Sequence, residues 1–278
     1  MIKNVILLIL VTASFSNVNA QRKDRIKGNR IVTSVETSVD GFSRILIGED
    51  FKVELVKGDE PSVEIETDEN LHEVIEIDVS DNTLSFKTNK RITLKKEQKI
   101  RVTYTDELNL IETEESGQVS STRTLEFPEL TIKATGTSRL FLTLKSDMFK
   151  FINSDRAKAE LNVTSNVATL ELSDNSKLEA LINATDIKVD LYQRADAKIE
   201  GDVDTLNIRA DNSTNFIGKE LTSNSCTVLA EGSSDVFIQA IEEVIIEATG
   251  SSEVYLYENP KITINKFEDT VKLHKKEL

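Results

Sequence analysis

The chain has one cysteine, two histidines, three prolines and no tryptophan in 278 residues, and each scarcity closes a class of explanation. A lone thiol, Cys226, cannot form an internal disulfide, so stability has to come from packing. With so little Cys and His, zinc, iron or Cys-His chemistry lacks ligands and partners. The few prolines and ten glycines do not fit a disordered or collagen-like chain, while abundant Val, Ile, Thr and Leu favour strands. Cationic residues are outnumbered, 34 Lys and Arg against 48 Asp and Glu. The resulting net charge of −14 argues against a nucleic-acid partner, which needs a basic face, and against adhesion to a bare anionic membrane. No GxGxxG, P-loop or GxSxG sequence is present, and no cofactor is expected.

Long apolar runs are also missing. The run from Val5 to Val11 is too short to span a bilayer, and no later segment approaches the roughly 20 residues that spanning needs. Preceded by Lys3 and followed by Val18-Asn19-Ala20, it reads as a signal peptide over residues 1–20, cleaved on export. No cysteine near that point offers a site for a lipid anchor. Residues 21–40, polar and basic between Arg22 and Arg30, read as a flexible leader.

What is present is a period. The small residues Gly117, Ser138, Ala157, Ser176, Ala195, Thr214, Ser234 and Ser252 recur at steps of 21, 19, 19, 19, 19, 20 and 18. Two positions before each stand residues suited to positive φ or Asx turns, from Glu115 and Gly136 to Gly250. Two positions after each, Val119 through Val254, the column is apolar in every copy. So is the column six before: Ile111, Ile132, Phe151, Leu170, Val189, Ile208, Val228 and Ile246. Apolar residues at alternate positions on both sides of a turn are strands that each bury one face. A coil of about nineteen residues cannot bury that face alone, so successive coils must stack about 4.8 Å apart. The pattern predicts an all-β, single-stranded β-helix of about eight regular rungs. A β-sandwich would not need one column apolar in every copy, and a propeller blade would need roughly 40 residues per repeat. Residues 42–105 alternate at irregular spacing and read as imperfect first rungs and a cap. Residues 262–278 read as a cap strand and mobile tail.

Several segments resemble a known family. They are Phe42-Ser43-Arg44-Ile45, Val53-Glu54-Leu55, Leu84-Ser85-Phe86, Glu115-Ser116-Gly117, Ala134-Thr135-Gly136, Glu231-Gly232-Ser233-Ser234-Asp235-Val236, Ala248-Thr249-Gly250-Ser251-Ser252-Glu253-Val254 and Tyr257-Glu258-Asn259-Pro260-Lys261. In this order and spacing the chain resembles the head GIN domain family of autotransporter adhesins, a bacterial domain of unknown biochemical function, over about residues 42–261. The middle rungs depart from the family in carrying Asp or Gln where it often has Gly. The resemblance implies a right-handed β-helix in the periplasm or at the surface of a Gram-negative, Bacteroides-like cell.

Candidates for chemistry are few. His72 and His274 read as solvated surface residues and Cys226, in an inward column, as a reduced core thiol. Asp196, Asp235 and Glu253 share an outward column and read as a solvated acidic ladder. A glycan-active enzyme, a lyase or glycosidase using such carboxylates, is the alternative to a non-catalytic structural or adhesive protein. Ile217, Phe237 and Tyr255, with Tyr257 nearby, make an outward apolar stripe that is the candidate binding surface unless Ile262 to Leu273 folds over it. The expected partner is a glycan or a cell-envelope protein, with self-association through the solenoid ends a further option. The Asn-X-Thr triplets at Asn162, Asn183 and Asn212 are uninformative in a bacterial setting. Asp204-Thr205-Leu206 and Asp269-Thr270-Val271 resemble the O-glycosylation pattern of Bacteroides-like bacteria.

Overall fold

Strict alternation of apolar and polar residues builds strands, and in the computed structural model, which describes residues 23–277, strands hold 68% of the chain and helix 2%. They wind into a β-solenoid of about 9 turns. The N-terminal part contains β1 (Arg25–Lys27), β2 (Val32–Ser38), β3 (Arg44–Ile47), β4 (Lys52–Lys57), β5 (Ser62–Asp68), β6 (Ile75–Ser80), β7 (Thr83–Thr88), β8 (Arg91–Leu94) and β9 (Gln98–Tyr104). The coils continue through β10 (Leu110–Thr113), β11 (Gln118–Ser120), β12 (Leu125–Ala134), β13 (Arg139–Asn153), β14 (Lys158–Leu172), β15 (Lys177–Leu191) and β16 (Asp196–Ala210). The last are β17 (Asn215–Ala230), β18 (Asp235–Ala248), β19 (Glu253–Tyr257), β20 (Lys261–Phe267) and β21 (Lys272–Lys275).

Each regular coil is one long bent strand and one short turn. β13 and β14 pair in parallel from Arg139↔Lys158 to Asn153↔Leu172, so like columns lie on like columns. The alternation of buried and exposed residues slips once, at Asp147 and Met148, where two exposed residues in a row mark the corner of the coil. The column from Ile111 to Ile246 forms an interior pile, no member more than 3% exposed. Burying side chains of this size stabilises by about 1.5–3 kcal/mol each before the cost of ordering the chain. One inward column was not read from the sequence: Leu144, Val163 and Ile182 are buried too.

The turns follow from one backbone requirement. Glu115, Gly136, Asp155, Asp174, Gln193, Asn212, Gly232 and Gly250 all have positive φ, between 52° and 76°, and Asp269 extends the column at 67°. Glycine takes this conformation freely, and Asp or Asn takes it more readily than other side chains. The polar members also bond between coils. Asp155 Oδ2 accepts from Gly136 N at 2.8 Å, Gln193 Oε1 from Asp174 N at 2.6 Å and Asp269 Oδ2 from Gly250 N at 3.0 Å. Asp or Gln at this position therefore replaces glycine's freedom with a hydrogen bond. The small reference column is buried beside the turn, and at Gly117 an added Cβ would lie 2.2 Å from the Ile47 carbonyl oxygen.

The irregular N-terminal region is stacked out of chain order. β3 and β4 lie against β10 and β11, and the later strands β7 and β9 lie beyond them as the outermost coil. Antiparallel pairing of β6 with β7, and of β2 and β9 with β5, closes this end over Leu71 and Val74. Within the described part of the segment expected as a flexible leader, residues 23–40, two strands form. β2 is a full antiparallel partner of β5, from Val32↔Asp68 to Ser38↔Ser62, and β1 pairs with β8. The open edge of β5 supplies hydrogen-bond partners that a search for one period does not reveal.

The other end is open. β20 pairs with β18 and β21 with β19 as a further coil, so strand runs through the segment expected as a cap and on to Lys275. Its inward residues have a coil on one side only, which leaves Ile262 and Ile264 43% and 48% exposed. Residues 1–20, read as a signal peptide, lie outside the described residues apart from their sequence.

Candidate functional site

Parallel stacking turns residues nineteen or so apart in sequence into neighbours. The register Ile217↔Phe237, Phe237↔Tyr255 and Tyr255↔His274 makes one outward column of the predicted stripe and adds His274 to it. The rings of Phe237 and Tyr255 stack at 4.2 Å, 3° from parallel. Lys276 Nζ lies 5.4 Å from the centre of the Tyr255 ring. Tyr257 stands on the adjoining column, paired with Gln239. All four predicted residues are half-buried. The segment Ile262 to Leu273 does not fold across the stripe. It adds a coil that lengthens it.

The last coil also gathers charge around one carboxylate. Glu253 Oε1 is 2.6 Å from Lys272 Nζ, and Glu253 Oε2 accepts from the Tyr255 hydroxyl at 2.6 Å and lies 3.1 Å from His274 Nε2. The bond from Lys272, then that from Tyr255, holds this carboxyl at about 2. Its hydrogen bond to Glu253 raises the Tyr255 phenol to about 12. Asp235 pairs directly with Glu253 in the register, and partial burial followed by the Glu253 charge raises its carboxyl, against a lowering by Lys272. Asp196, the third member of the predicted acidic ladder, lies between Lys177 Nζ at 3.3 Å and the Asn215 amide at 3.2 Å. The ladder is thus two separate clusters.

Further along the same face Phe141, Glu160, Glu179 and Lys198 continue the column and, with Leu181 and Glu200, line an open groove of about 460 Å³. At the centre of the column Tyr255 offers its ring edge rather than its faces, because Phe237 covers one face and His274 the other. What this face can do chemically is present edges, carboxylates and amides to an extended partner. His72 and His274 are not brought together: His72 sits in a short 3-10 helix and bonds Thr33 Oγ1 at 3.0 Å. Cys226 is buried, and burial pushes its thiol up. Among the described residues no group of three or more His, Cys, Asp or Glu is placed to hold a metal ion. No helix among them is long and apolar enough to cross a membrane. The signal for His274 was available in the sequence, since it follows Tyr255 by 19 residues. The period of about nineteen therefore runs one coil further, through β21.

These features define a parallel β-solenoid with a decorated lateral face. The chain belongs to the family described as "Putative auto-transporter adhesin, head GIN domain", whose profile matches residues 41–181 and 152–260. It is similar in fold to a putative adhesin from Parabacteroides distasonis, with TM-score 0.58 and 19% identity over 92% of this chain and 100% of that one. A putative lipid binding protein from the same organism gives TM-score 0.55 and 18% identity over 91% and 97%. A putative adhesin from Parabacteroides merdae gives 0.50 and 18% over 91% and 98%. No curated protein matches the chain.

Proposed function

We propose that this chain is an exported, non-catalytic binding protein of the cell envelope, in the periplasm or at the cell surface, with a structural or adhesive role. In this reading its lateral face around Phe237, Tyr255 and Tyr257 engages a glycan or a cell-envelope protein. The adhesin names of the family and of two structural neighbours support a binding role. The observation that carries the choice of face is the half-exposed stack of Phe237, Tyr255 and His274 beside Glu253. A stack on a sheet built of parallel rungs is rigid before any partner arrives, so little side-chain freedom is lost on contact. Tyr and Phe are enriched at the centres of interfaces, where charged residues other than Arg are scarce.

The test is a glycan array and an envelope-protein capture, each run with the full chain and with Tyr257→Ser and Phe237→Ser variants. The reading expects one of the two screens to give a ligand lost in both variants. It fails if bound ligands are indifferent to both substitutions.

One observation favours a second reading, an enzyme acting on glycans. Asp235 raised beside Glu253 lowered is the pattern by which neighbouring carboxylates divide acid and base roles. Both Glu253 oxygens are already engaged, however, by Lys272, Tyr255 and His274. An assay for reducing ends and unsaturated products decides: turnover abolished by Asp235→Ala would replace the binding reading.

A further inference from the structure

The net charge of −14 conceals a separation of charge. Residues 23–30 and 90–96 contain eight cations, Lys23, Arg25, Lys27, Arg30, Lys90, Arg91, Lys95 and Lys96, and a single acid, Asp24. That is +7 on fifteen residues and −21 on all the others. The two segments are distant in sequence. The fold joins them, because β1 and β8 pair in parallel as a two-stranded sheet of their own, Arg25 beside Arg91 and Lys27 beside Leu94.

The ribbon is held firmly. Gly28 N donates to Leu94 O and Arg91 N to Asp24 O, each at 2.7 Å, and Thr93 Oγ1 donates to Ile26 O at 3.0 Å. Asp68, fully buried beneath, accepts from the backbone amides of Arg30 and Lys96. Its charge is spent on those amides, and its side chain occupies the space a Cβ on Gly28 would need. Of these eight cations only Lys23 and Lys95 have ion-pair partners among the described residues, Glu49 at 2.8 Å and Asp50 at 3.4 Å. Of the nearby acids, Glu97 is turned to Lys99 at 3.5 Å, while Glu69 accepts from the side-chain amide of Asn29 on the ribbon itself and pairs with none of its cations. Six cations are left facing outward.

Lys27, Gly28, Arg30, Leu94, Lys95 and Lys96 line a hollow of about 600 Å³. Leu94 projects among the cations 58% exposed, and Ile31, next to Arg30, is equally exposed. A soluble polyanion would satisfy the cations and leave both apolar side chains in water. The boundary of a bilayer with anionic headgroups satisfies both kinds of group at once. We propose that the basic ribbon of β1 and β8 docks this protein on a membrane surface carrying anionic phospholipid, with phosphate in the hollow and Leu94 and Ile31 at the acyl boundary. The acidic remainder is repelled by the same surface, which directs the solenoid away from it. This docking does not depend on the lateral face or on its partner.

The experiment is co-sedimentation of the full chain with vesicles of phosphatidylcholine, alone or with about 30% phosphatidylglycerol. The readout is the difference between the two, which cancels any binding indifferent to charge. The difference is expected to shrink as salt rises from about 0.05 to about 0.5 M. It should fall about fivefold in Lys27→Gln and about fivefold again in Lys27→Gln/Lys96→Gln. Leu94→Ser, which keeps every charge, should weaken it as well. All three side chains are exposed, so an unchanged thermal melt shows that folding is intact. Lys261→Gln/Lys266→Gln, at the opposite end, serves as the control and should have no effect. Equal binding to both vesicles, or a control loss as large as that at Lys27 and Lys96, overturns the proposal. Release by inorganic pyrophosphate with Leu94→Ser unaltered would assign the hollow to soluble phosphate and overturn the lipid assignment.

Discussion

The imidazole of His274 lies on the phenol ring of Tyr255, ring centres 4.6 Å apart and planes 11° from parallel, and both groups reach the same oxygen of Glu253. The last coil is therefore fastened by a stack and a shared carboxylate as well as by its main-chain ladder. His274→Ala should loosen it by about 0.5–1.5 kcal/mol, the worth of an aromatic pair. Amide exchange across Lys272–Lys275 measures this, and it should quicken there while Phe151 and its neighbours stay protected.

Acid should act at the same place. The folded carboxyl of Glu253 is held at about 2 against an ordinary value of 4.5. A lowered folded value stabilises the native state above the ordinary value, and that stability is lost as pH falls from 4.5 towards 2. Asp235 has the opposite sign, since its raised carboxyl is relieved by protonation. Melting curves of the native chain and of Glu253→Gln should converge as pH falls through that window and separate above it.

The turn column gives a sharper contrast. Asp174 combines φ of 60° with a side-chain bond to Asp155 N. Asp174→Ala should cost about 2 kcal/mol, one lost hydrogen bond plus the strain of alanine in the left-handed region. Asp174→Gly loses the bond but not the conformation, and should cost about 1 kcal/mol or less. Denaturant midpoints of the two variants test the order; equal losses would mean that the backbone requirement is not what selects this residue.

Gly201 breaks the strand alternation with φ of 122°, and a Cβ there would stand 2.2 Å from the Ile182 carbonyl oxygen of the neighbouring coil. Gly201→Ala should destabilise by more than about 2 kcal/mol, because backbone is the obstacle and cannot swing aside as a side chain can. Thermal unfolding reads the loss.

Cys226 is fully enclosed and its thiol is pushed up by burial alone, so almost no thiolate exists at neutral pH. Ellman's reagent should leave the native chain unlabelled for hours and label one thiol once denaturant is added. Prompt labelling of the native chain would contradict its place in the core.

Much of this protein is legible from residue order alone. A step near nineteen, an apolar column without exception and a turn column mostly of Gly, Asp and Asn are enough to call for stacked coils, because a short coil can bury its apolar face only against a copy of itself. The stripe of Ile217, Phe237 and Tyr255 follows from the same counting. Only the tertiary structure decided the rest. It placed β7 and β9 outside β3 and β4, against chain order, since pairing depends on which strand edges are free and not on which strands come next. It likewise set Lys27 beside Leu94, 67 residues apart, through a single pair of short strands with no repeat to announce it. Periodicity reports contacts that recur; contacts made once are settled by shape, hydrogen bonding and charge after the chain has folded.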